Sequence, residues 1–164
     1  MTTPSLPDRT DGTATGAGGA PPFAAPAGEG ELIDIGTAAF LVRATADSTG
    51  GVLTMFEELP PLLDTSRHVH RQEDETFYVL DGEHEFTSGD RIFRLGPGGV
   101  AFLPRGIPHA HRRLVPGVGR LLCVTTPAGF ERFFRDLAEA ARSGEPPETA
   151  YARASERAGI TWLG

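Results

Sequence analysis

HVHRQEDETFYVLDGE, His68 to Glu83, sets two of the chain's five histidines and five acidic side chains in and around a run, Thr76 to Leu80, that reads as a buried β-strand. Burying a carboxylate or an imidazole is costly unless something pairs with it. A bound cation supplies that partner. In an extended strand His68 and His70 point to one face, because side chains alternate with period two. Glu75 follows with Phe77 and Val79 in its phase, so a carboxylate falls where an apolar interior is expected. Glu73 shares that face. A third imidazole is available from His109, just after the tight turn Pro104-Arg105-Gly106-Ile107-Pro108. Three neutral imidazoles and a carboxylate around a divalent ion leave a net charge near +1 and open coordination positions.

Outward from this stretch, short apolar or alternating runs recur: ELIDIG, AAFLVRAT, GVLTMFEEL, TFYVL, EHEFTS, RIFRL, VAFLP, HAHRRL and RLLCVTT. Turn chemistry separates them at Ser48 to Gly51, Asp81-Gly82, Gly89-Asp90, Gly96 to Gly99 and Pro116 to Gly119. Many short strands at close spacing predict an all-β fold, a sandwich or barrel, and not a βαβ architecture. After Pro127 the period changes. Phe130, Phe133, Phe134, Leu137 and Ala141 recur at helical spacing with charges between them, so an amphipathic helix packs an aromatic stripe onto the strands and closes one mouth. A second helix is expected from about Pro147 to Ala158, ending at Gly159. Residues 1–28, rich in Gly, Ala, Pro and Thr with Phe23 as the sole aromatic, read as a flexible, disordered N-terminal tail. The expected organisation is thus a tail over 1–28, a β-barrel over 29–127 and a C-terminal helical segment over 128–164.

Composition narrows the function. The 164 residues are 39% hydrophobic and 23% charged, with net charge −7 and a pI near 5.2. The basic residues are scattered, which argues against a nucleic-acid partner. All fifteen are Arg, so lysine Schiff-base chemistry is excluded. Cys123 has no partner for an intrachain disulfide, and no run approaches the ~18 apolar residues of a membrane span. The expected compartment is the cytoplasm, without membrane insertion.

HVHRQEDETFYVLDG resembles the first motif of the cupin superfamily, HxH, four residues, Glu, six residues, Gly, on His68, His70, Glu75 and Gly82. GGVAFLPRGIPH resembles the second, on Gly98, Pro104, Gly106 and His109. Two separated motifs agree in residue type, spacing and order, over about Glu31 to Thr126. The TPAGFERFFRDL segment is similar to cupins related to quercetin 2,3-dioxygenase. The resemblance implies a jelly-roll β-barrel and one divalent transition metal (Fe, Mn, Ni, Co or Zn) on His68, His70, Glu75 and His109. The six-residue interval to Gly82 favours Glu75 over Glu73. Where relatives carry Asn four residues after the second-motif His, this chain has Arg113; where they carry an apolar residue it has His111, a candidate proton carrier. His84 is expected to be exposed or cross-strand, and Arg105 on the surface.

The implied activity is a dioxygenase acting on a flavonol-like or polyketide-like small molecule, with Glu75 and His111 as catalytic groups. Phe40, Met55, Phe77, Val79, Phe93 and Phe102 are candidates to line the substrate pocket, although strand parity does not say which face inward. Two alternatives stand beside it: a non-redox, metal-dependent polyketide cyclase or isomerase, and a non-catalytic small-molecule binder. Nothing before Glu31 is helical or basic enough for the DNA-binding domain of a cupin regulator. A homodimer is expected from relatives, with Trp162 and Leu163 either at an interface or, as preferred, packed on their own barrel.

Overall fold

The computed structural model describes residues 19–60, 64–115 and 119–163. Alternation of apolar and polar side chains turns the predicted runs into antiparallel ladders. In chain order the strands are β1 (Glu31–Asp34), β2 (Ala39–Ala44), β3 (Thr54–Leu59), β4 (His68–His70), β5 (Asp74–Asp81), β6 (His84–Ser88), β7 (Arg91–Leu95), β8 (Val100–Leu103), β9 (His109–Arg113), β10 (Arg120–Thr126) and β11 (Ile160–Trp162). The helices are α1 (Ala46–Thr49), α2 (Glu131–Ser143) and α3 (Pro147–Ala158). One sheet runs β1-β2-β3-β10-β5-β8 and the other β11-β4-β9-β6-β7. The two sheets face each other across the core, and among the described residues no ladder joins them into a closed ring. The all-β expectation therefore holds in the form of an open jelly roll.

Two elements escaped the sequence reading. The short helix α1 is closed by a capping box on Thr45 and Ser48. Strand β11 pairs with β4, setting Ile160 opposite His70 and Trp162 opposite His68. The C-terminal segment thereby contributes a strand as well as two helices. The predicted aromatic stripe of α2 packs as expected: Phe134 stacks on Phe40 with ring centroids 3.9 Å apart, and Phe130 stacks on Phe56 at 6.0 Å. Each such buried ring contributes about 1.5–3 kcal/mol of transfer free energy.

Of the expected tail, residues 1–18 lie outside the described residues. Residues 19–28 hold only a turn, and the Arg43 guanidinium donates to the carbonyls of Ala25 and Pro26 at 2.9 and 2.8 Å. Among the described residues no helix is long and apolar enough to cross a membrane. His84 is cross-strand, opposite Leu95 and Arg113, but fully buried where exposure was the other option; its Nε2 lies 3.1 Å from the Asp81 carbonyl.

A candidate metal centre at the base of an apolar cavity

Strand β4 presents both of its histidines inward because period-two alternation leaves only Val69 between them, half-buried on the other side. Its single rung with β9 sets His68 directly opposite His109. The turn before β9 needs Gly106 at φ 77°, a left-handed conformation that an L side chain resists even though a Cβ there would meet nothing within 4 Å. The Gly106 N–H then donates to the His70 carbonyl at 2.8 Å, tying the second-motif turn to the first-motif strand. From the facing sheet, β5 aims Glu75 between the imidazoles. The ligating atoms of His68, His70, Glu75 and His109 all lie within 4.8 Å of one another, and all four residues are buried.

Hydrogen bonds fix which nitrogen of each ring faces the centre. His68 Nδ1 donates to the Ser66 carbonyl at 2.8 Å and His109 Nδ1 to the Ile107 carbonyl at 2.9 Å. Each therefore turns a bare Nε2 inward. His70 Nδ1 faces the buried Glu73 at 3.5 Å, so His70 also presents Nε2. The Nε2 atoms of His68 and His70 approach to 3.1 Å, and Glu75 lies 3.2 Å from His109 Nε2 and 3.7 Å from His70 Nε2. His109 Nε2 has no hydrogen-bond partner. Three lone pairs and an anion crowded into one dry spot repel unless a cation stands among them, so the residues present fit a divalent metal. The ligand set does not single out one metal, since imidazole suits Zn, Cu, Fe and Ni alike.

The electrostatics show the same demand for positive charge, which a proton on His70 or a metal ion meets. Burial holds the His68 imidazole down at about 4, which keeps it neutral and able to ligate. Burial would lift the Glu75 carboxyl, but the surrounding imidazoles, His70 foremost, outweigh it and hold the group at about 2, hence ionised. Burial also works to lower His70, and there the charges of Glu75 and Glu73 win and raise it. Glu73 is thus the acid behind the ligand His70, with Glu75 inside the cluster, the arrangement the spacing to Gly82 favours.

The cluster opens into a cavity of about 380 Å³ between the sheets. Of the six expected pocket residues the structure brings two to its wall, Phe40 and Phe77. Met55 and Phe102 take the outward parity of their strands, alternating with buried Phe56 and with buried Ala101 and Leu103; Phe102 is 58% exposed. Val79 is fully buried but sits two rungs from Glu75, beyond the wall, and Phe93 packs against the core from β7. The remaining wall comes largely from residues that strand parity could not assign: Phe56, Phe130, Phe133, Phe134 and Trp162. His111 lines the cavity as well, its Nε2 3.1 Å from Glu58. Burial would lower this imidazole, and the Glu58 carboxylate overrides it and raises it. Glu58 itself went unnoticed in the sequence; its phase with Thr54 and Phe56 points inward only once the pairing of β3 shows which face is buried. Arg105 is on the surface as expected, where it pairs with Asp74 at 2.8 Å. The Arg113 N–H donates to Asp64 at 3.1 Å.

The two motif strands of this antiparallel jelly roll converge three histidines and a glutamate, and residues 55–125 match the family model for the cupin domain. The chain carries that match across its strands β3 to β10. It is similar to quercetin 2,3-dioxygenase of Bacillus subtilis (strain 168), 29% identical over 122 residues, or 74% of this chain and 36% of the relative. It thus spans little more than a third of that relative's length. Among solved structures it resembles KdgF from Halomonas sp., at 18% identity and TM-score 0.53 over 62% of this chain and 90% of that one. It also resembles the cupin domain of Schizosaccharomyces pombe Cnp3, at 18% identity and TM-score 0.50 over 71% and 76% of the two chains. Both likenesses are of fold.

Proposed function

We propose that this protein is a cupin and a metal-dependent dioxygenase acting on a flavonol-like or polyketide-like small molecule. The observation that carries the reading is the convergence of His68, His70, Glu75 and His109 at the base of a cavity walled by phenylalanines. Similarity to quercetin 2,3-dioxygenase adds the redox step. His68, His70, Glu75 and His109 would hold a divalent ion, which would supply Lewis acidity toward an enolisable substrate and a site for dioxygen.

The protein's own contribution is positioning, exclusion of water and proton handling. Phe40, Phe56 and Phe134 form an apolar wall, with Phe56 edge-on to the stacked pair of Phe40 and Phe134, against which an aromatic substrate lies. Glu75, ionised inside the cluster and lining the cavity, is the group that accepts the proton of the substrate hydroxyl that becomes the enolate oxygen. His111, on the same wall, is the second candidate for proton transfer. Small molecules are the partners this cavity fits, and the cytoplasm is the compartment proposed.

Elemental analysis of anaerobically purified protein, followed by an oxygen-electrode assay with flavonols and hydroxylated polyketides, tests the reading. A stoichiometric redox-active ion with oxygen uptake is the expected result. Stoichiometric zinc without uptake would shift the assignment to the non-redox cyclase or isomerase, which the same unselective ligand set serves.

A further inference from the structure

The cavity has two poles, and only one belongs to the metal cluster. Along β3, β10 and β5 the inward side chains stack in rungs: Thr54, Thr125 and Glu75; then Phe56, Cys123 and Phe77; then Glu58, Leu121 and Val79. Glu58 therefore stands four residues along β3 from the rung of Glu75, about 13 Å at ~3.3 Å per residue. On the facing sheet His111 lies two residues beyond His109, about 7 Å on the same scale. Between the poles the rung of Phe56 and Phe77 forms an apolar floor.

At the far pole Glu58 is buried, and its Oε2 accepts the Nε2–H of His111 at 3.1 Å. His111 is fixed from behind: its backbone N–H donates to Thr65 Oγ1 at 2.9 Å, and that hydroxyl lies 3.3 Å from Nδ1. The carboxylate is thereby held at one oxygen and aimed. Among the described residues its Oε1 has no hydrogen-bond partner, and Glu58 lines the cavity. A carboxyl oxygen without a partner, next to a stretch of cavity walled by Phe56 and Phe77, calls for a donor.

We propose that Glu58, oriented by His111, is a specificity-determining residue. Its Oε1 accepts a hydrogen bond from a hydroxyl at the end of the ligand remote from the metal. The cavity accordingly selects elongated, mostly apolar molecules that carry metal-binding oxygens at one end, a spacer of one to two rings, and a donor at the other. This rests on the reading of the four-residue cluster as a metal site, and it does not depend on dioxygenase chemistry. A site built to pair a hydroxyl discriminates strongly against the analogue lacking it, because the buried acceptor is then left bare.

The test uses zinc-loaded protein, which is redox-silent, and three probes: biphenyl-4-carbohydroxamic acid and its 4′-hydroxy and 4′-methoxy derivatives. Trp162, the chain's one tryptophan, lines the cavity and reports binding by its fluorescence. The wild type is expected to bind the 4′-hydroxy probe at least tenfold more tightly than the other two. Glu58→Leu should erase that preference at unchanged zinc content, and Glu58→Gln, whose single amide oxygen takes the His111 Nε2–H and leaves its NH2 facing the ligand as a donor, should lose the preference over the 4′-methoxy probe. A Glu58–His111 pair that merely ties the sheets together would weaken all three probes equally on substitution, and that result overturns the proposal. So does a wild type that ranks the hydroxy and methoxy probes alike, a comparison that needs no variant to fold. Preference without oxygen uptake on flavonols would sink the dioxygenase reading alone; uptake without preference would sink this one alone; failure of every probe to bind would sink both.

Discussion

Two buried carboxylates, Glu75 and Glu131, lie at opposite ends of one stretch of structure and meet opposite surroundings. Thr54 and Thr125 share the rung of Glu75, and the Thr54 hydroxyl donates to Glu131 at the start of α2. Glu131 also accepts the Ala46 N–H at 3.0 Å, while Thr54 in turn accepts the Gly129 N–H at 2.9 Å. Every neighbour of that carboxylate gives it a hydrogen. Glu75 instead faces inward-turned imidazole nitrogens whose protons point away. Burial alone therefore does not mark a functional acid; what marks it is an environment that only an added cation completes.

Removing the cation side of this contrast should produce the largest effect. His70→Ala, or chelation of the wild type, is expected to abolish stoichiometric metal binding. It should also forgo about 4 kcal/mol of ligand-linked stability at a free-ion concentration a thousandfold above Kd. For a chain of this length that is a fall in Tm on the order of 10 °C, read by calorimetry beside elemental analysis. Equal metal content in the variant would break the ligand assignment.

Glu131→Ala should cost about 2–3 kcal/mol, because it strands the Ala46 N–H and the Thr54 hydroxyl, yet leave metal content unchanged. Loss of the ion in that variant would merge the two carboxylates into one functional unit. The same contrast has a pH signature. Burial works to raise the Glu131 carboxyl, but the Thr54 hydroxyl and the Ala46 N–H hold it below its ordinary 4.5. A depressed folded-state value contributes stability that is full above about pH 4.5 and drains away as pH falls below it. The difference in denaturant stability between wild type and Glu131→Gln should therefore shrink between pH 6 and pH 3; a constant difference refutes the linkage. The smallest effect is expected from Asp74→Asn, one residue from Glu75 but at the surface with Arg105: a Tm change of about a degree or two and no change in metal content.

The strands, the aromatic helix and the ligand quartet were legible because each carries a local period or a fixed interval. Parity across the sheets was not. In the pair Glu57-Glu58 one carboxylate faces outward to Arg43 and Arg120 and the other faces the cavity, and no local pattern says which. Met55 and Phe102 were misplaced for the same reason, as apolar side chains on the outer face of a strand look like core. Strand β11 spans three residues, too few for a period to show. Its role follows only from pairing with β4, which sets the Trp162 ring 4.8 Å from that of His68. The Gly82 turn, by contrast, was readable from Asp81-Gly82, and its φ of 78° bears the reading out.

The position of β10 has a consequence for how the molecule comes into being. That strand sits between β3 and β5, so residues made some forty positions later separate and join two strands made earlier. On the ribosome all four prospective ligands emerge before the piece that seats Glu75 in its sheet. Ion capture by these four residues would thus wait until Arg120–Thr126 slots in, and a nascent chain lacking that segment should bind metal no better than a flexible peptide carrying the same histidines.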